Sequence, residues 1–213
     1  WTRRYASGLI HARWLVSEVA LVAMAIAGVI FDGLSQTKPW FDTFGGASVA
    51  STTIELAIFA AAIVGIALLA SRVSGLAAIG AGLVPIAVGY ILAHYLTFLL
   101  IDGQRILLVL DDPLSLGAHF LGLADWQPSG AWLPPPLVWG AMLTSVVGGH
   151  VVGAVAGHAA AAVEVRPDAP PDSPWTDVAL AALRRRELPL ACLMVGLTVL
   201  TLWSLGQVVL LAG

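Results

Sequence analysis

Residues 148–161 read GGHVVGAVAGHAAA, an apolar run with a small residue at every fourth position and two histidines eight residues apart. In lipid no hydrophobic force draws helices together, so they associate where small residues let backbones approach closely. Gly149, Gly153, Gly157 and Ala161 therefore form a packing seam along one helix. Ala57, Ala61 and Gly65 form a companion stripe earlier in the chain that could receive this seam or another neighbour. His150 and His158 each follow a seam glycine, which turns them about 100° from the seam and towards protein rather than acyl chains.

The whole chain has the same character. Of its 213 residues 59% are hydrophobic and only 11% charged, and its mean hydropathy is +0.90. Soluble domains carry about 25% charged residues, so this is a membrane protein. A net charge of −3 with scattered basic residues excludes a nucleic-acid surface. The one cysteine, Cys192, lies in an apolar run and reads as a small buried side chain.

A spanning helix needs about 20 mostly apolar residues. Five stretches qualify: 12–33, 49–70, 76–101, 137–163 and 188–212. The expected fold is an all-α, polytopic transmembrane helical bundle in a single domain. Arg3, Arg4, Arg13, Arg72, Arg166 and Arg184–Arg186 fall on one side of this topology, Lys38 and Arg105 on the other. By the excess of basic residues in cytoplasmic loops, the N-terminus is expected inside a bacterial cytoplasmic membrane and the C-terminus outside. The linker between the last two spans predicts an amphipathic surface helix, with Pro174 after Ser173 at its start and Arg184–Arg186 at its end. Residues 102–136 predict an outer interfacial or re-entrant segment, with Trp126, Trp132 and Trp139 at headgroup level.

An ionisable group in the bilayer is costly and tends to be paired or functional. By helical rise, Tyr90 and His150 fall near the midplane, Glu55 and His94 together nearer the outside, and Asp32 near the outer end of the first span. Glu18, His158 and Glu164 continue this ladder on the inner side, and Tyr90, His94 and Thr97 share one helical face. His94, His150, Glu55 and Tyr90 are the expected site, binding a metal or relaying protons, because imidazole both ligates metals and titrates near neutral pH. The bland alternative is that each histidine only hydrogen-bonds a neighbour and fixes helix register. Glu55, His94 and His150 would give a transition metal three ligands. A haem between His94 and His150 is weaker, since their depths differ by roughly 8 Å. In the outer segment Asp111, Asp112 and His119 are candidate cation ligands, although Asp112-Pro113 also reads as a solvated turn. Glu18 is equally a snorkelling or locally bonded carboxylate, and the arginine run is an anchor.

FDGLSQTKPW, AVGYILAHYLTFLLIDGQ, DDPLSLGAHFLG and GGHVVGAVAGH together resemble the C-terminal half of polytopic membrane proteins of actinobacteria and related bacteria that carry the name fenitrothion hydrolase. The resemblance runs from Phe31 to about Ala160. It implies that His94, His150 and His158 are functional positions, with Asp32 and Gln104 as companions, and that a further membrane half precedes this one. The chain departs from the pattern after His158, where Ala159–Ala162 stand in place of a charged or polar residue. Three function classes follow: a subunit of a larger membrane complex whose histidine site binds metal or moves protons or a small solute; an accessory subunit of a bioenergetic or pigment-bearing complex; and a membrane-embedded metal-dependent hydrolase. No GxSxG motif favours a serine nucleophile.

Overall fold

Hydrocarbon offers no hydrogen bonds to a peptide group, so a chain this apolar satisfies its backbone within helices. The computed structural model describes residues 7–44, 48–165 and 176–211, and no strand occurs among them. The helices are α1 (Ser7–Ile10), α2 (Val16–Ser35), α3 (Lys38–Phe44), α4 (Val49–Ser74), α5 (Leu76–Ile101), α6 (Arg105–Asp111), α7 (Pro135–Val165) and α8 (Asp177–Leu211), with a 3-10 turn at Asp102–Gln104. Five of them, α2, α4, α5, α7 and α8, are long and apolar enough to cross a membrane. Arg3, Arg4, Arg166, Ser173, Pro174 and Ala212, which entered the expectations above, lie outside the described residues.

Local chemistry explains where the ends differ from expectation. α2 starts at Val16 rather than at residue 12, because Leu15 is extended and its N–H is taken by the Glu18 carboxylate at 2.8 Å. α4 continues through Arg72 to Ser74, so the SRVSG loop shrinks to one residue, Gly75, at φ +91°. Glycine is favoured there. Its left-handed backbone suits no other residue well, and a Cβ would run into the Glu164 carboxylate.

The largest difference concerns the linker helix. Residues 177–186 are helical as expected, but they continue without a break into the fifth span, through Pro189. Thr176 caps this helix, its Oγ1 accepting the Ala179 N–H at 3.2 Å. The first turns of α8 are tied to α7 by an ion pair, Arg186 with Glu164, and by a hydrogen-bonded contact, Glu187 with His158. These contacts hold the segment against α7. At about 1.5 Å per residue α8 is roughly 50 Å long, well beyond a hydrocarbon core of about 30 Å.

α5 is the hub. Its closest partner is α7, and the seam explains why. A Cβ on Gly149 would lie 2.7 Å from the Pro85 carbonyl oxygen, one on Gly89 2.5 Å from that of Ser145, and one on Gly157 3.0 Å from that of Ala78. The two backbones are in direct contact, and no side chain fits between them. The seam's receiver is therefore the small-residue face of α5. The companion stripe on α4 does not receive it: Ala57 and Ala61 are exposed, and Gly65 opens on empty space. On the other side of α5, Val19, Ala23, Ile26 and Ile30 of α2 pack with Ile79, Leu83 and Ile86. Leu190, Met194 and Leu197 of α8 and Ile63 and Ala67 of α4 close this core. The remaining apolar faces, such as Leu21, Ile58, Ile66 and Val155, point outward as a lipid-contacting surface.

Gly153→Ala should destabilise the bundle, because its methyl would meet the Gly82 carbonyl oxygen as well as Met194 Cε at 3.0 Å. Overpacking of this kind costs on the order of 1–3 kcal/mol. Gly140→Ala, on the same helix with nothing within 4 Å, should leave thermal unfolding in lipid discs unchanged or slightly raised. Equal melting of the two variants would contradict the close contact.

Candidate functional site

Three hydrogen-bonded pairs arise where four groups were expected to share one site. Tyr90 of α5 is buried, and its hydroxyl lies 3.3 Å from His150 Nε2 on α7. The other His150 nitrogen, Nδ1, is 2.8 Å from the Val146 carbonyl oxygen. A carbonyl can only accept, so Nδ1 carries the proton and Nε2 accepts from the Tyr90 O–H. One turn further along α5, His94 Nε2 meets Asp32 Oδ2 of α2 at 2.6 Å. Glu55 does not join them. Its carboxylate accepts from Trp40 Nε1 at 3.3 Å, and Trp40, on the short helix α3, packs edge-on against Phe31. The FDGLSQTKPW motif thus folds back over the ends of α2 and α4, a contact that depth along the helices did not reveal.

Tyr90 and His94 line a common cavity of about 30 Å³ between α2, α5, α7 and α8, together with Gly33, Val146, Thr201 and Ser204. The Ser204 hydroxyl donates to the Thr201 carbonyl oxygen at 3.0 Å. Thr201 Oγ1 is buried and faces the Tyr90 hydroxyl, yet no protein group meets it in good hydrogen-bond geometry. Thr201 and Ser204 were absent from the sequence-derived ladder. Their signal was a series of polar residues three apart in an apolar span, Thr198, Thr201, Ser204 and Gln207, a spacing that puts neighbours on one face.

The other candidates have structural partners. Glu18 closes the first turn of α2. His158 pairs with Glu187 at an exposed position. Gln104 staples the outer segment to the end of α5, its Nε2 donating to the Leu100 oxygen at 2.6 Å and to the Ser129 oxygen at 3.1 Å. Asp111 is buried and accepts from His119 Nδ1 at 3.0 Å, Leu121 N–H at 2.5 Å and Leu123 N–H at 3.2 Å. Asp112 accepts from Gly117 N–H at 2.7 Å and Leu116 N–H at 2.9 Å. Both carboxylates are engaged in folding their own loop, where Ser115 and His119 adopt φ of 54° and 44°. Among the described residues, no three His, Cys, Asp or Glu side chains converge in a way that could hold a metal ion. The expected trio of Glu55, His94 and His150 is therefore not assembled as a ligand set. Comparisons with family models, curated proteins and solved structures return no match.

The Gly117 and Leu116 amides hold the Asp112 carboxyl below the usual range. A depressed folded value means that the loop is fully stabilised above the ordinary aspartate pKa, about 3.9, and loses that support only as pH falls through the lower folded value. Hydrogen exchange of the Leu116 and Gly117 amides, corrected for intrinsic rate, should stay slow into mild acid. Asp112→Ala should make both amides exchange fast at neutral pH. Unchanged protection in that variant would show that the carboxylate does not organise the loop.

Proposed function

We propose that this chain is an integral membrane protein that relays protons through a histidine-centred polar site, and that it works as a subunit of a larger membrane assembly. The observation that carries the reading is that two hydrogen-bonded pairs, Asp32–His94 and Tyr90–His150, both reach the same small cavity through Tyr90 and His94. Asp32 is the solvent- or headgroup-accessible end, with a little over half of its side chain exposed near the end of α2. A proton taken by its carboxylate passes to His94 within one hydrogen bond. At the inner end, His150 Nε2 takes the Tyr90 hydroxyl proton while the tyrosine oxygen receives another from the cavity. The result is an imidazolium at His150, whose Nδ1–H remains bonded to the Val146 carbonyl. The neighbouring hydroxyls and the carbonyl dipole offset part of the cost of that charge in a low-dielectric setting.

The cavity's size supports a proton rather than a bulky solute as cargo, and the pairing of the histidines with Asp32 and Tyr90 favours proton transfer over metal ligation. The outward stripe of Ala57, Ala61 and Gly65 supports a place among other helices, since small residues suit helix contacts more than lipid contacts. The distribution of Arg13, Arg72 and Arg184–Arg186 supports a cytoplasmic arginine side, with protons entering from the opposite side. The resemblance to the proteins named fenitrothion hydrolase is compatible with this reading through the same His94 and His150. A purely structural role is the second reading, favoured by the carbonyl bond that already anchors His150.

After photolytic acid release on the loop side of reconstituted vesicles, time-resolved infrared spectroscopy should show a His150 imidazolium band that is absent in His150→Phe. His94→Phe should slow its appearance by on the order of a hundredfold, the scale of a positioned proton-transfer group. A band that appears equally fast without His94, or never appears while the parent protein stays folded, would favour the structural role.

A further inference from the structure

The relay as drawn has a gap. His94 and Tyr90 are neighbours on one helical face, but no hydrogen bond joins the Asp32–His94 pair to the Tyr90–His150 pair. What lies between them is the cavity, which carries polar as well as apolar lining residues. Tyr90, His94, Thr201 and Ser204 are all among its lining residues. Truly empty cavities in proteins are lined by apolar groups, whereas a buried water takes two to four polar partners and needs roughly 10–15 Å³. The volume here, about 30 Å³, is enough to hold a water.

The hydrogen-bond inventory is complementary to such a guest. Tyr90 donates its proton to His150, so its oxygen can accept. Ser204 donates to the Thr201 carbonyl, so its oxygen can accept as well. Thr201 Oγ1 is more than nine-tenths buried without a partner in good geometry, and its hydroxyl can donate. A buried hydroxyl left unsatisfied is costly in a low-dielectric interior, and a water that accepts from Thr201 while donating to Tyr90 and Ser204 satisfies all three at once.

We infer that the Gly33–Tyr90–His94–Thr201–Ser204 cavity is a binding site for a single ordered water, which bridges His94 to the Tyr90–His150 pair. Its occupancy follows from the cavity alone; its role as a proton carrier rests on the proposed relay. In that role the water accepts a proton on its oxygen from the His94 side and gives one of its own to the Tyr90 oxygen, so that it is regenerated without net chemical change. Thr201 and Ser204 are positioning residues, holding the water's lone pair and its hydrogens.

Gly33 provides a clean test, because a methyl there removes no polar group. Its Cβ would meet only Ser204 Oγ, at 3.6 Å, an ordinary contact, and it would occupy the space that the water needs. Replacing a helical glycine by alanine also favours folding, so Gly33→Ala should melt no lower than the parent. In infrared difference spectra recorded in H₂¹⁶O and H₂¹⁸O, the parent should show an isotope-sensitive O–H band of a single buried water. Gly33→Ala and Thr201→Val should both lose the band and slow His150 protonation at least tenfold, while Thr201→Ser should retain both. No isotope-sensitive band in the parent, or a band that survives both Gly33→Ala and Thr201→Val, overturns the water site even if His94→Phe slows the relay. A band that vanishes in Gly33→Ala while His150 protonates at the parent rate upholds the site and sinks the relay.

Discussion

Contact between the α5 and α7 backbones is the constraint on which everything else in this bundle depends. Gly149, Gly153 and Gly157 bring α7 against the carbonyls of Pro85, Gly82 and Ala78, closer than any pair of side chains would permit. Dispersion and short-range polar contacts are what remain to hold helices together in lipid, and both fall off steeply with distance. The same approach determines the chemistry. Because the two helices lie so near, Tyr90 and His150 reach each other across the interface, one buried on α5 and the other turned about 100° from the seam on α7. A bulkier seam would carry these two groups out of hydrogen-bonding range.

The polar groups in the bundle are arranged in pairs between helices: Asp32 with His94, Tyr90 with His150, Glu55 with Trp40, Glu187 with His158 and Arg186 with Glu164. Each pair satisfies groups that would be expensive to leave alone in hydrocarbon. They also form two sets. The pairs at the arginine side join α7 to α8 near their ends, where side chains are more exposed and where such links position helices rather than do chemistry. The pairs on α5 surround the core and converge on a cavity with spare hydrogen-bonding capacity. Thr201 and Ser204 give that cavity its polarity from α8, and Gly33 gives it its volume from α2.

The outer segment shows the same economy applied to a loop. Asp111 and Asp112, adjacent in sequence and suggestive of a cation site, point their oxygens at backbone N–H groups and at His119 instead. A carboxylate supplied with amides has little capacity left for a metal. Gln104 then pins Ser129 to the end of α5. Exposed Leu114, Leu116 and Phe120 leave this lobe with an apolar surface, in keeping with a position at the edge of the bilayer.

The amino-acid sequence alone was enough to establish a membrane protein, five apolar spans and a small-residue seam with histidines beside it. Hydropathy and four-residue spacing are properties of one helix at a time, so they survive without knowledge of the neighbours. Some boundaries escaped because capping and pairing are decided by single contacts, as at Glu18 for α2 and at Arg186 and Glu187 for α8. Which residues meet was settled only in three dimensions. Depth along a helix placed Glu55 beside His94, but the rotation of α2 put Asp32 there and the fold of α3 gave Glu55 to Trp40. Thr201 joined the site because α8 turns that hydroxyl towards Tyr90. Rotation, tilt and the closeness of glycine-lined backbones depend on all the helices at once, and no periodicity within one of them records the outcome.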